Sequence, residues 1–359
     1  MEDLVKPKTF YLQWHITERC NWHCKHCYQG ENPASDLSLE ELLKILDQYV
    51  SLIKKWKLFD RAILALTGGE PFARKDFFQL LERVSAQARL HGFRWILLSN
   101  GSLIDEKKII KLKELGLHSF QVSIEGMEKI NDEIRGKGTF KKTIEAIKLL
   151  VAADIRTAVS LTLTKKNMRD VPPLVNLCEK LGVRSLGTRR IIPWGRGEQL
   201  KEYMLQPQEL KEYYLSIKEI NKKLTKRKSK LKVGLGCENS IFNENILADP
   251  DTNMRADTCG VTYGRCITIM ANGDVMHCRR LPIVMGNALK DNLYDIWYSQ
   301  PMKDLRDPDK LHPFCQKCSA LPNCFGGAKC VTYAYSGKLD IPDVQCWRAY
   351  KRLDEPLFK

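Results

Sequence analysis

No stretch of this chain is long and apolar enough to cross a bilayer as a helix, and its opening residues, MEDLVKPKTF, lack the apolar run of a signal peptide. A cytoplasmic location without membrane contact is the resulting expectation. Internal repeats of fixed period are absent. So are nucleic-acid motifs and basic patches interleaved with aromatics, which makes nucleic acid an unexpected partner. Acidic charge is the scarcer sign, 43 residues against 58 Lys and Arg, for a net charge of +15. Much of that excess lies in NKKLTKRKSKLK, residues 221–232. Two readings stand for this segment: a solvated helix face with a linker, or an electrostatic patch for an acidic partner.

Cysteine, by contrast, is abundant: thirteen residues, nine of them between Cys237 and Cys346. Without a secretion signal, such clustering argues against disulfides and for metal-binding or catalytic thiolates. An apolar content of 43% with 28% charged residues describes a globular chain. At 359 residues it exceeds one ordinary core, so a large domain with a smaller one is expected.

Short apolar runs alternate with amphipathic ones from residue 10 to about 200. Strands are expected at Phe10–Thr17, Arg61–Thr67, Arg94–Ser99, Ser119–Ile124, Thr157–Thr164 and Arg184–Ile191. Helices are expected at Leu39–Trp56, Asp76–His91, Asp105–Leu115, Phe140–Ala153 and Asp170–Leu181, the first opened by a Ser38/Glu41 capping box. Six strand–helix units imply a parallel sheet with right-handed crossovers, too few for a closed eight-stranded barrel. The fold class is therefore α/β, a partial (β/α)6 barrel of TIM type. Its strands carry a polar face: Tyr11, Gln13 and His15 oppose Phe10, Leu12 and Trp14, and Gln121, Ser123 and Glu125 oppose Phe120, Val122 and Ile124. Strands between two helix layers are apolar on both faces, so a lumen holding a polar ligand is the economical explanation. The expected organisation is a lead-in at 1–9, the barrel at 10–200, a helix (from Pro207 to Lys223) and basic linker at 201–236, a loop-rich cysteine domain at 237–350, and a tail at 351–359.

The stretch CNWHCKHC follows the first strand, where barrel active sites lie. Its thiols, Cys20, Cys24 and Cys27, leave one position of a four-ligand metal site open. A zinc site completed by His23 or His26, or a disulfide with a spare thiol, remains an alternative on the residues alone.

This C-x3-C-x2-C stretch resembles the signature of the radical S-adenosylmethionine (SAM) superfamily. The resemblance implies that Cys20, Cys24 and Cys27 hold a 4Fe–4S cluster whose free iron chelates SAM, and that reductive cleavage yields a 5′-deoxyadenosyl radical. It implies that His26 lies near the adenine, with Tyr28 following. LTGGEP matches the family's GGE turn, with Gly68 and Gly69 giving close approach and Glu70 accepting from the SAM ammonium. Ser123 and Glu125 in VSIEG match ribose contacts, and Arg135 an arginine that pairs with the SAM carboxylate. A surface salt bridge is the alternative for Arg135, and a plain turn for Asn100. This resemblance covers residues 10–200.

The remaining cysteines resemble the SPASM extension of peptide- and protein-modifying radical SAM enzymes. The resemblance implies two auxiliary 4Fe–4S clusters, one on Cys259, Cys266, Cys278 and Cys330, the other on Cys315, Cys318, Cys324 and Cys346. Cys330 departs from the pattern, since five residues separate it from Cys324, more than the family's usual gap. Zinc sites built from the same thiols are the alternative. Cys178 is expected to be a buried small hydrophobe, and Cys237 to be inert.

The implied function is hydrogen abstraction from a ribosomally made peptide that is crosslinked or otherwise modified. Tailoring of a heme-like or quinone-like cofactor precursor is one alternative, and a non-catalytic iron–sulfur or zinc scaffold is another. Sulfatase maturation is demoted, because Arg279 stands where those enzymes carry an acidic base. Expected partners are the peptide or small-molecule substrate and a ferredoxin- or flavodoxin-type electron donor. A separate leader-peptide-binding protein is added because the barrel starts near residue 10.

Overall fold

The computed structural model describes residues 6–28, 36–243, 245, 254, 259–260 and 264–351. Most of the expected lead-in (1–9) and tail (351–359) lies outside them. The barrel strands are β1 (Phe10–His15), β2 (Ala62–Thr67), β3 (Arg94–Ser99), β4 (Ser119–Ser123), β5 (Thr157–Leu163) and β6 (Ser185–Arg190), all paired in parallel and in sequence order. The crossovers are α1 (Leu39–Trp56), α2 (Phe77–His91), α3 (Glu106–Glu114), a short α4 (Glu128–Arg135) leading into α5 (Thr139–Ala152), and α6 (Val171–Lys180). α1 begins at the capping box: the Glu41 amide donates to Ser38 at 3.2 Å and the Ser38 amide donates to Glu41 at 2.7 Å. Its buried residues, Leu42 through Trp56, recur at helical spacing.

The alternation of the strands separates the two faces as expected. Phe10, Leu12 and Trp14 are buried under the helices, whereas Tyr11, Gln13, Gln121, Ser123, Ser160 and Thr162 stay partly accessible on the other face. The partial barrel thus has a dry outer core and a polar lumen.

Beyond β6 the sheet continues. α7 (Pro207–Lys226) returns the chain to β7 (Lys232–Leu235), which pairs in parallel with β6. Much of the basic segment is therefore helix and strand. The Asn221 side chain fixes the return: it donates to the Val233 carbonyl at 2.8 Å and accepts from the Val233 amide at 3.1 Å.

At the opposite edge β8 (Cys266–Ile269) joins β1 in parallel, followed by antiparallel β9 (Asp274–Cys278) and β10 (Leu281–Asn287). The ten strands form one sheet in the order β10-β9-β8-β1-β2-β3-β4-β5-β6-β7. The cysteine-rich region is joined to the barrel in a second way. Trp297 packs edge-on against Phe10 and Trp56, with ring centroids 5.5 and 5.0 Å apart, and the Gln48 amide donates to the Ala288 carbonyl at 2.6 Å.

Candidate functional site

The loop after β1 carries Cys20, exposed, Cys24, buried, and Cys27, half-buried. Its entry is pinned by the Gly68–Gly69–Glu70 turn at the end of β2. The Gly69 amide donates to the Thr17 carbonyl and the Glu70 amide to the Arg19 carbonyl, both at 2.8 Å. A Cβ on Gly68 would stand 2.3 Å from the Thr17 oxygen, and one on Gly69 2.2 Å from that of Arg19. Only glycine allows this approach.

The Glu70 side chain is fully buried. It accepts from the Ser99 hydroxyl and the Asn100 amide at 2.9 Å and from the Phe72 amide at 3.2 Å. Burial pushes its carboxyl up to about 7. Asn100 carries the link onward, its side-chain amide donating to Asn21 of the cysteine loop at 2.9 Å.

Glu125, His26 and Arg135 form a buried cluster behind Cys24. The Arg135 guanidinium meets Glu125 at 2.6 Å and donates to the Cys24 sulfur at 3.8 Å; His26 Nε2 lies 3.2 Å from Glu125. The Thr162 amide also donates to Glu125, at 2.6 Å. Burial holds His26 low, at about 4, and therefore neutral. Burial opposes ionisation of Glu125, yet the Arg135 guanidinium, with the Thr162 amide, holds it below the usual carboxylate range. With His26 neutral, Arg135 is the formal counter-charge. The surface salt bridge considered for Arg135 is thus replaced by a buried pair beside Cys24. Ser123 ends β4 on the half-exposed luminal face.

Three residues not singled out from the sequence brace this loop from the far side. After β6 the run PWGRG crosses it: the Gly197 amide donates to the Cys27 carbonyl at 3.1 Å, Arg196 Nε to the Cys24 carbonyl at 3.2 Å, and Gln199 to the Lys25 carbonyl at 3.1 Å. Gly195 has φ +58°, and a Cβ there would lie 2.7 Å from the Tyr28 oxygen. The available signal was the closely spaced Gly195 and Gly197 at a strand end.

The C-terminal thiols fall into two groups. Cys315, Cys318, Cys324 and Cys346 line one largely apolar cavity. The other group forms where β8 meets β9. The β8/β9 register, extended beyond Thr268↔Met276, sets Cys266 opposite Cys278. Burial, then repulsion from Cys278, Cys259 and Cys237, raises the Cys266 thiol. Burial likewise lifts Cys330 to about 12, opposed by Arg280 and reinforced by Cys278. Cys237 lies near these thiols, its own thiol raised first by burial and then by Glu238. Cys178 is buried in α6, as expected, its thiol pushed up to about 12 by burial alone. Thiols so desolvated become thiolates only when a metal centre supplies positive charge, which is the donor chemistry of iron–sulfur ligation. Among the described residues no three His, Cys, Asp or Glu side chains are grouped tightly enough to hold a single ion.

Residues 14–178 match the radical SAM superfamily, and residues 259–319 match SPASM, an iron–sulfur cluster-binding domain. The chain is a radical SAM protein with a SPASM domain. It is 28% identical, over 95% of its length, to an AdoMet-dependent heme synthase of Methanosarcina barkeri, covering 96% of that protein. It is 26% identical, over 94% of its length, to the mycofactocin maturase MftC of Mycobacterium ulcerans, covering 88% of it. Streptococcus suis SuiB, solved with S-adenosylmethionine, shares the fold with a TM-score of 0.74 at 18% identity, over 94% of this chain and 77% of that one.

As a radical SAM enzyme the chain uses SAM and a 4Fe–4S cluster, and its SPASM domain binds auxiliary iron–sulfur clusters. The four thiols lining the apolar cavity are the donor set such a cluster takes. No helix among the described residues is long and apolar enough to cross a membrane.

Proposed function

We propose that this enzyme modifies a ribosomally made peptide by hydrogen abstraction, with SAM held at the Cys20–Cys24–Cys27 loop. Bound there and cleaved reductively, SAM supplies the 5′-deoxyadenosyl radical. The chain's own residues position it. The Gly68–Glu70 turn and Asn100 hold the loop and face the SAM amino group, His26 and Tyr28 border the adenine, and Ser123 faces the ribose. Glu125 and Arg135 lie behind Cys24, where the guanidinium also tunes the cluster through its sulfur. The match along nearly the whole chain to the mycofactocin maturase carries the peptide reading. A fold shared with a chain solved with its precursor peptide is consistent with it.

A second reading rests on the equally complete match to heme synthases: the substrate is an iron-bearing tetrapyrrole. Anaerobic assays with dithionite separate the two. Formation of 5′-deoxyadenosine stimulated by a peptide, with a mass change on that peptide, supports the first. Stimulation by Fe-coproporphyrin III alone replaces it with the second.

We assign Cys259, Cys266, Cys278 and Cys330 to one auxiliary cluster, and Cys315, Cys318, Cys324 and Cys346 to the other. The division into a barrel at 10–200 and a cysteine-rich region at 237–350 is kept as a functional one, since a single sheet runs through both. The electron donor is proposed to be an acidic ferredoxin or flavodoxin. It would dock at a cavity of about 750 Å³ that is lined by Cys318, Phe314 and Trp347 and flanked by Lys211, Lys317, Arg348 and Lys351. A cytoplasmic location is proposed from the thirteen free thiols.

A further inference from the structure

The barrel buries four arginines: Arg74, Arg135, Arg190 and Arg279. Three hold a carboxylate: Arg74 meets Asp76 at 2.6 Å, Arg135 meets Glu125 at 2.6 Å, and Arg190 meets Asp343 at 2.7 Å. Arg279 is 7% exposed and has no carboxylate partner among the described residues. Its guanidinium lies 4.8 Å above the Tyr28 ring and donates to the Tyr28 carbonyl at 3.3 Å, while its Nε is buried without a hydrogen-bond acceptor. A guanidinium does not shed its proton, so burial without a counter-ion is costly unless an anion arrives.

Its place in the fold says where that anion sits. Arg279 follows Cys278 at the end of β9, its amide held by the Thr268 hydroxyl of β8 at 3.1 Å. On its other side are Tyr28, next to Cys27, and His15 at the end of β1. Among the described residues no Asp or Glu forms an ion pair with Arg279, so the anionic neighbours left to it are the thiolates at Cys27 and Cys278. The guanidinium therefore spans the gap between the SAM loop and the auxiliary thiols.

We propose that Arg279 binds a carboxylate of the substrate and holds the reacting unit between the SAM loop and Cys278. The proposal rests on the radical SAM reading of the cysteine loop. The ligand class is a carboxylate anion. It is carried by a peptide terminus or acidic side chain in the peptide reading, or by a propionate in the tetrapyrrole reading.

Equilibrium dialysis of the cluster-loaded protein with SAM tests it, using 3-phenylpropionate and its neutral amide as probes. The expected result is saturable binding of the acid alone, weakened roughly tenfold or more in Arg279→Gln and partly restored in Arg279→Lys. No saturable acid binding, equal binding of acid and amide, or unchanged acid binding in Arg279→Gln overturns the proposal. The same comparison with a peptide acid and its C-terminal amide, and with Fe-coproporphyrin III and its methyl ester, identifies the source of the carboxylate. An Arg279-dependent preference in neither pair also overturns it. Iron content and visible spectra confirm that each variant is loaded. A shifted auxiliary-cluster potential with unchanged acid binding would mean that the guanidinium serves the cluster instead. Formation of 5′-deoxyadenosine is measured in parallel. If it persists while acid binding fails, only this inference falls; if wild type lacks it, the radical SAM function falls.

Discussion

Arg190 at the end of β6 and Asp343 of the cysteine-rich region form a buried ion pair at 2.7 Å. Asp343 also accepts from the Ala328 amide at 2.8 Å and the Gln345 amide at 3.0 Å, so one carboxylate joins the barrel to the chain around Cys324, Cys330 and Cys346. Asp343→Ala leaves a buried guanidinium unpaired and is expected to destabilise the protein by about 3–5 kcal/mol. The measurement is anaerobic thermal unfolding. Replacing Arg190 as well with Met is expected to recover only part of the loss, because the Ala328 and Gln345 amides still lack their acceptor, and no recovery at all would show that the unpaired charge is not what destabilises the single variant.

The glycine turn makes a separate prediction. A Cβ at Gly69 must displace Arg19, and with it the loop bearing Cys20. Gly69→Ala is expected to reduce reconstituted iron by about four per chain while leaving the auxiliary clusters loaded. Iron and acid-labile sulfide analysis reads this directly.

Glu70 predicts a pH dependence. Its folded value, about 7, is above its ordinary 4.5, so the native state binds the proton more tightly than the unfolded chain. The associated stability is complete below pH 4.5 and is lost as pH rises through about 7. Glu70→Gln is expected to flatten that segment of the melting-temperature profile. An unchanged profile would assign the dependence to another group.

The apolar cavity shared by four thiols predicts independent loading. Cys315→Ala with Cys346→Ala is expected to bring iron from about twelve per chain to about eight. Dithionite-driven 5′-deoxyadenosine formation without substrate is expected to persist. Four irons with zinc in the wild type would refute the two auxiliary iron–sulfur sites.

The basic cavity beside Cys318 predicts how electrons arrive. Lys317→Glu with Lys211→Glu is expected to raise KM for an acidic donor protein several-fold and to weaken its salt dependence. Turnover with dithionite is expected to stay unchanged, because that small reductant needs no docking surface. Equal donor kinetics in wild type and variant would move the docking site elsewhere.

The features legible in the sequence are the local ones. The Ser38 cap and the Leu39–Trp56 periodicity set α1 within the chain, and the alternation from Phe10 to His15 separated core from lumen. α4 was not foreseen because eight residues give little periodicity, although Arg135 within it was. β7 was hidden by Lys and Arg, since a four-residue edge strand needs only Val233 and Leu235 inside. The pairing of Tyr11 with Cys266 is set by tertiary packing between distant segments, and neither strand shows it alone. The Gly195–Gly197 brace has no local signature beyond a turn, because its role is a contact from the Gly197 amide to the distant Cys27 carbonyl.

The strand that carries Cys266, Cys266–Ile269, is also the hydrogen-bonding neighbour of the strand that leads into the Cys20–Cys27 loop. The spacing between Cys266 and the Cys20–Cys27 loop is thus held by a ladder of backbone hydrogen bonds. Cutting the chain ahead of Cys266 would leave β1 with a bare edge, open to pairing with another molecule. The cysteine-rich region therefore completes the barrel's own sheet, and truncation to a minimal barrel should yield aggregate, not a simpler enzyme.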